Sequence, residues 1–328
     1  MRLAHLHIPH LIPFSHASHL QQILVSRLLA HKKLCDSLSS STTTTTTPNP
    51  ELPAPPDPTI LTFTPHPIYT TGRRDLPSPS SSPHTSPTST HHNDDNIPLP
   101  TPLEPIRPLL TSSPPLATYA PTLRGGQTTY HGPGQLVAYT ILDLRRLRLG
   151  PRAHIRLLER SVLDVLDSYG VAGGVLSGED PGVWVEQQQA KGANGNGDGE
   201  RDGGDMLLPR KIAAVGVHLR RFVSSYGVGL NVTEEPMWWL RQIVACGLEG
   251  REATSLGGCG VDASGGEEVM MREVAGRFVR AFVDRVNGRG NEDGRDSCCR
   301  TGEVGGGQRI EEVYSIGEGD VLGVEGVE

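Results

Sequence analysis

Aromatic residues are scarce in this chain: three Trp, seven Tyr and five Phe make up 5% of 328 residues. Long apolar runs are missing too. No stretch of eighteen or more apolar residues occurs, so no segment is expected to cross a membrane as a helix. Nor is there a basic surplus, since 30 Lys and Arg face 37 Asp and Glu for a net charge of -7. Binding along a nucleic-acid backbone needs a basic surface, and this composition argues against that partner. The five cysteines (Cys35, Cys246, Cys259, Cys298 and Cys299) are odd in number and irregular in spacing. Without a secretory apolar segment they read as reduced thiols of an intracellular compartment. No Cys/His cluster has zinc spacing, and no metal is expected.

Acidic residues are absent from the first 35 positions, which carry Arg2, Arg27, Lys32, Lys33 and several histidines. That bias fits an organellar transit segment. It fits equally an ordinary first strand and helix, because Leu20, Ile23, Leu24 and Leu28 recur at helical spacing.

Apolar content, at 36%, is held down by segments that cannot form a core. Residues 37–58, 75–115 and 187–206 are rich in Ser, Thr, Pro or Gly and bury too little to offset ordering entropy. They read as insertions looping out of one domain spanning 1–286. The Gly- and charge-rich tail, 287–328, is expected to be disordered. Between the insertions, "TILTFTPHPIYTTG" (59–72) reads as strand, and "QTTYHGPGQLVAYTILDL" as two strands around a turn in which Gly134 supplies positive φ. Residues 151–170 place Ile155, Leu158, Val162, Leu166 and Tyr169 on one helical face, with Pro151 at the start and Gly170 as the stop. "GVWVEQ" and 211–232 give three more strands. A closing helix carries Met270, Val274, Phe278 and Phe282 on one face, with Gly288 after it. The expected fold class is α/β, a mixed α+β sheet flanked by helices.

Three stretches carry chemistry. In "RGGQTTYHGPGQ", Gly125, Gly126, Gly132 and Gly134 crowd around Tyr130 and His131, and their backbone amides are free to face a ligand carbonyl or carboxylate. A tight hairpin with no ligand is the plainer alternative. Neither dinucleotide nor phosphate-loop spacing occurs after a strand here. In "KIAAVGVHLRR", Lys211 enters an apolar strand, where an unpaired ammonium is costly to bury; a lysine extending to solvent at a strand end is the alternative. In "ACGLEGREATSL", Cys246 sits between an apolar segment and a small polar loop, with Cys259 a weaker competitor. The spacing of Lys211 and Cys246 does not itself bring them together.

Taken in order, "PHPIYTTGRR" (65–74), "RGGQTTYHGPGQLVAYTILDL" (124–144), "PGVWV" (181–185), "KIAAVGVHLRR" (211–221), "YGVGLNV" (226–232) and "ACGLEGREATSL" (245–256) resemble the lipoyl(octanoyl) transferase family. The resemblance implies the catalytic fold shared with biotin and lipoate protein ligases. It implies transfer of an octanoyl group from octanoyl-acyl carrier protein to a lysine of a lipoyl domain, as in 2-oxoacid dehydrogenase complexes and the glycine cleavage H protein. By the same resemblance Cys246 is the nucleophile and Lys211 its acid/base partner, with no ATP and no metal. Arg124, Gly125, Gly126, Tyr130, His131 and Gly132 then line the acyl pocket, together with Ala213, Ala214, Val215, Gly216, Tyr226, Gly227 and Gly229 from the following strands. A mitochondrial location follows if the Ser/Thr-rich insertions mark a eukaryotic source. The chain departs from the family pattern at Tyr226, where the family usually has His before Gly, and at Thr64, where an acidic residue is usual. An ATP-dependent lipoate or biotin ligase and a non-catalytic carrier-binding relative are the alternatives. A ligase needs no nucleophilic cysteine, so Cys246 favours the transferase.

Overall fold

The computed structural model describes residues 1–40, 53–76, 99–178, 180–186, 208–243, 252–262, 265–288 and 307–323. Eleven strands are described: β1 (Arg2–Ile12), β2 (Thr59–Pro65), β3 (Ile68–Thr71), β4 (Thr118–Pro121), β5 (Thr129–His131), β6 (Gln135–Ile141), β7 (Gly174–Leu176), β8 (Gly182–Val185), β9 (Arg210–Arg220), β10 (Val223–Asn231) and β11 (Glu312–Ile316). Six helices accompany them: α1 (Phe14–Ser40), α2 (Arg107–Thr111), α3 (Pro151–Ser168), α4 (Glu235–Arg241), α5 (Glu267–Val286) and α6 (Glu318–Leu322). The large sheet runs β11-β1-β2-β6-β10-β9-β8-β7, and a small one runs β4-β3-β5. In the large sheet β1 pairs parallel with β2 and with β11. From β2 to β7 every pairing is antiparallel. The expected mixed α/β class is therefore the one observed.

Burial follows the alternation of the strands. On β6, Leu136 and Ala138 face one side, where α3 and α5 supply Leu158, Val162, Leu166, Val274, Phe278 and Phe282. Val137, Tyr139 and Ile141 face the other, where α1 supplies Ala17, Leu20, Leu24 and Leu28. Buried on both faces, β6 reads as a nearly unbroken apolar run, as an interior strand must. The helices α3 and α5 are further joined where Arg285 Nε donates to Asp164 Oδ2 at 2.6 Å.

Four expectations need correction. First, β5 and β6 flank a turn but form no hairpin. β5 pairs with β3 in the small sheet and β6 with β2 and β10 in the large one, so the turn steps the chain between sheets. Second, the tail expected to be disordered supplies β11 and α6. β11 covers the outer edge of β1, whose N–H and C=O groups would otherwise lack partners. α6 is pinned to α1 by a His16–Glu318 contact and by Arg27 Nη2 donating to the Val321 carbonyl at 2.6 Å. Third, the end of the 75–115 segment is built into the core: a 3-10 turn (Thr101–Ile106) and α2 bury Leu103, Ile106 and Leu110 against Tyr69, Tyr130, Met237 and Leu240. Fourth, the 37–58 segment is ordered at both ends, since α1 runs to Ser40 and the Pro58 carbonyl accepts from Ala4 N–H at 2.9 Å. Of the two readings of the N-terminus, strand and helix are what the chain forms. The 187–206 segment lies outside the described residues.

Candidate active site

A cavity of about 220 Å³ opens where β6, β9 and β10 of the large sheet face the loop after β4. Its walls combine Gly125, Gly126, Ala214, Gly216, Gly227 and Gly229 with Val137, Tyr139 and Val228. Ala214 and Gly229 are register partners across β9 and β10. Small residues facing one another leave an apolar slot without a break in the backbone ladder. Arg124, His131, Lys211 and Tyr226 supply the polar part of the lining.

Arg124 is buried, and its guanidinium ties the wall together. Nη2 donates to the Thr70 carbonyl at 2.7 Å and to Thr70 Oγ1 at 2.8 Å, and Nη1 donates to the Gly125 carbonyl at 3.2 Å. Gly125 N–H donates in turn to the Val217 carbonyl of β9 at 2.9 Å. The small sheet is thereby fastened to the large one beside the cavity. Asp75 adds a second clasp, accepting from Thr128 N–H at 2.7 Å and Thr128 Oγ1 at 2.8 Å.

The turn that follows is fixed by sterics. Gly134 has φ of 79°, and a β-carbon there would lie 2.2 Å from Thr233 Oγ1. Its N–H donates to Glu267 Oε1 of α5 at 2.7 Å, and its carbonyl accepts from Val232 and Thr233. His131, just before the turn, offers Nδ1 to Gln135 Oε1 at 2.6 Å. Burial, helped by the positive charge of Arg124, lowers its pKa to about 4, so the ring is neutral at physiological pH.

Lys211, half-buried at the start of β9, holds Nζ 4.9 Å from the centroid of the buried Trp184 ring. Its backbone bridges to the segment around Ala253: Lys211 N–H donates to the Glu252 carbonyl and Thr254 N–H to the Lys211 carbonyl, both at 2.9 Å. Buried Glu159 of α3 accepts from Gly182 N–H and from Arg156 Nη1, both at 2.8 Å. Desolvation raises its pKa, with Gly182, Arg156 and Lys211 opposing the rise. Tyr226 has φ of 60°, a sparsely populated conformation for a non-glycine residue. Gln21 Oε1 of α1 accepts its N–H at 2.6 Å, and its hydroxyl accepts from Leu123 N–H at 3.3 Å.

Of the residues expected here, Arg124, Gly125, Gly126, His131, Lys211, Ala214, Val215, Gly216, Tyr226, Gly227 and Gly229 line the cavity. Tyr130, Gly132 and Ala213 do not. Tyr130 stacks on Trp239 with centroids 5.2 Å apart and meets the edge of Tyr69, supporting the turn from beneath. Gly132 has no side chain because the Tyr130 hydroxyl fills that space, 2.0 Å from where a β-carbon would lie. Ala213 faces the core under α3 and α5. Cys246 lies outside the described residues, between Ile243 and Glu252. The lining also includes Arg74, Gln127, Thr129, Val137, Tyr139, Ile155, Asp180, Pro181 and Val228. Alternation along β6 signals Val137 and Tyr139 once Leu136 and Ala138 are assigned to the opposite face, and helical spacing marks Ile155 as inward-facing without marking it as a cavity residue, whereas Asp180 carries no local signal.

Residues 117–283 match the family model described as the lipoyl protein ligase A/B catalytic domain, about half of the chain. The chain belongs to that family. Among its relatives, an octanoyltransferase of Solibacter usitatus is 42% identical over 50% of this chain and 61% of its own length. A probable octanoyltransferase of Schizosaccharomyces pombe is 32% identical over 67% of this chain and 77% of its own length. The chain thus spans less than two thirds of the Solibacter relative. Among solved structures, a bipartite lipoate protein ligase with its E2 lipoyl domain from Thermoplasma acidophilum aligns over 88% of this chain and 83% of that one, at 12% identity and a TM-score of 0.45.

Proposed function

We propose that this protein is an enzyme that transfers an octanoyl group from octanoyl-acyl carrier protein to the ε-amino group of a lysine on a lipoyl domain, through a thioester on Cys246. The observation that carries the reading is the placement of Lys211. It lines an apolar, glycine-walled cavity, and its own backbone is bonded to Glu252 and Thr254, on the far stem of the segment bearing Cys246. The names of the octanoyltransferase relatives support the same reaction.

In the first step, Lys211 accepts the Cys246 thiol proton and the thiolate attacks the donor thioester carbonyl. The donor C–S bond breaks, and the carrier thiol leaves with the proton from Lys211. In the second step the target amine attacks the acyl-enzyme. A C–N bond forms, the C–S bond to Cys246 breaks, and the proton from the amine returns through Lys211 to the sulfur. The donor thioester already stores the energy of transfer, so the reaction requires neither ATP nor a metal. We propose a mitochondrial location, on the strength of the Ser/Thr-rich insertions.

The test is transfer to a purified lipoyl domain, read as added mass on its target lysine, with two alternative donors. Octanoyl-carrier without ATP is expected to suffice. Modification only with free octanoate plus ATP would assign the site to a ligase instead.

A further inference from the structure

The hydrogen bonds behind His131 run in one direction only. The Thr254 carbonyl can only accept, so the Asn231 group facing it at 2.9 Å is the amide NH2. Asn231 Oδ1 therefore faces Gln135 and accepts from Gln135 Nε2 at 2.8 Å. That leaves Gln135 Oε1 toward His131, at 2.6 Å from Nδ1, and an amide oxygen can only accept. Nδ1 must carry the proton. All four residues are buried. A backbone carbonyl thus sets the tautomer of a cavity-lining imidazole three links away, and leaves Nε2 as its acceptor nitrogen.

The chain also spans the site. Thr254 N–H is bonded to the Lys211 carbonyl, and Leu256 N–H to the Asn231 carbonyl at 3.1 Å. One network therefore joins the turn at His131, the end of β10, the start of β9 and the far stem of the Cys246 segment.

We propose that His131 Nε2 accepts a hydrogen bond from the attacking amine of the acceptor lysine, and that Gln135 and Asn231 are positioning residues that hold it in that tautomer. This rests on the transferase reading above. A neutral amine has two hydrogens and one lone pair; donating one N–H to His131 aims the lone pair at the acyl carbon. His131 takes no proton in the step, and Lys211 still moves it. An ammonium offers N–H groups but no lone pair, so the arrangement is productive only for the unprotonated nucleophile. The other charged or titratable groups lining this cavity are Arg124, Lys211, Arg74, Asp180, Tyr139 and Tyr226.

The test uses the full chain with 15N-labelled histidine, His131 being assigned by comparison with His131→Gln. Long-range 1H–15N correlation at neutral pH is expected to show Nδ1 protonated and Nε2 bare. A ring protonated on Nε2 overturns the proposal. A second variant, Gln135→Glu, keeps an acceptor at Nδ1 but places a carboxylate there, which favours the imidazolium and removes the lone pair. In single-turnover experiments that separate acylation by octanoyl-carrier from transfer to a lipoyl domain, this variant is expected to slow transfer more than acylation as pH falls, the difference reaching about tenfold on the acid limb. The acid limb of its transfer profile should move up by about one pH unit. Equal slowing of both steps, with an unmoved profile, would show a merely structural role. A wild-type protein that forms no acyl-enzyme removes the transferase reading and this role with it, whatever the tautomer.

Discussion

At the residue scale, two side chains show how burial is turned into order. Arg124 spends its guanidinium on Thr70 and Gly125, joining two sheets at the cavity wall. Arg124→Ala leaves those carbonyls without their charged donor and is expected to cost about 2–4 kcal/mol in chemical denaturation, with a raised KM for the acyl donor. Histidine burial has a different signature. His5, His131 and His154 are each lowered to a pKa of about 4, chiefly by desolvation. In the unfolded chain they titrate near 6.5. As pH falls from about 6.5 to 4 the unfolded state takes up protons that the folded state refuses, so stability drops across that window and the contribution levels off below it. His154 is fully buried, and among the described residues its ring has a single, long hydrogen bond, to Thr140 Oγ1 at 3.4 Å. His154→Leu is therefore expected to flatten the acid slope, measured as denaturation free energy at several pH values.

At the scale of elements, the loop between β5 and β6 is held by sterics at Gly132 and Gly134 and by hydrogen bonds to α5 and to the end of β10. Gly134→Ala puts a β-carbon at positive φ and against Thr233 and Pro236. A loss of about 2–4 kcal/mol is expected, with activity falling because His131 sits three residues away. A mutant as stable as the wild type would show that the turn relaxes freely. The sequence made this turn legible, because Pro133–Gly134 between apolar runs has few other uses. It did not reveal that β5 and β6 part into different sheets, since strand pairing is decided by partners distant in the chain. The amphipathic helices α3 and α5 were readable for the opposite reason: Leu158, Val162, Leu166, Val274, Phe278 and Phe282 recur at helical spacing, and all six are buried. β11 and the 3-10 turn at Thr101–Ile106 were hidden by their Gly-, Ser- and Pro-rich surroundings, which swamp a short apolar pattern.

At the scale of the whole molecule, the tail closes the sheet that the N-terminus opens. β11 pairs with β1 from Arg2 to Leu6, Arg2 pairs with Asp57 at 3.0 Å, and Tyr314 donates to the same carboxylate at 2.9 Å. Truncation after Asn287 is expected to lower Tm and to promote aggregation in light scattering, because the β1 edge becomes available to other chains. An unchanged Tm would mean that β1 is held by β2 alone. The cavity is likewise a product of the whole fold, drawing on the small sheet, three strands of the large one, and α3. Its glycine-rich wall could be located from sequence, whereas Asp180 and Ile155 arrive only through folding. That this cavity serves acyl transfer through Cys246 is tested most directly by intact-protein mass after mixing the purified chain with octanoyl-acyl carrier protein, without ATP and beside a Cys246→Ser control. One octanoyl group on the wild type and none on the control is the expected result; an unmodified wild type would rule out acyl transfer through Cys246.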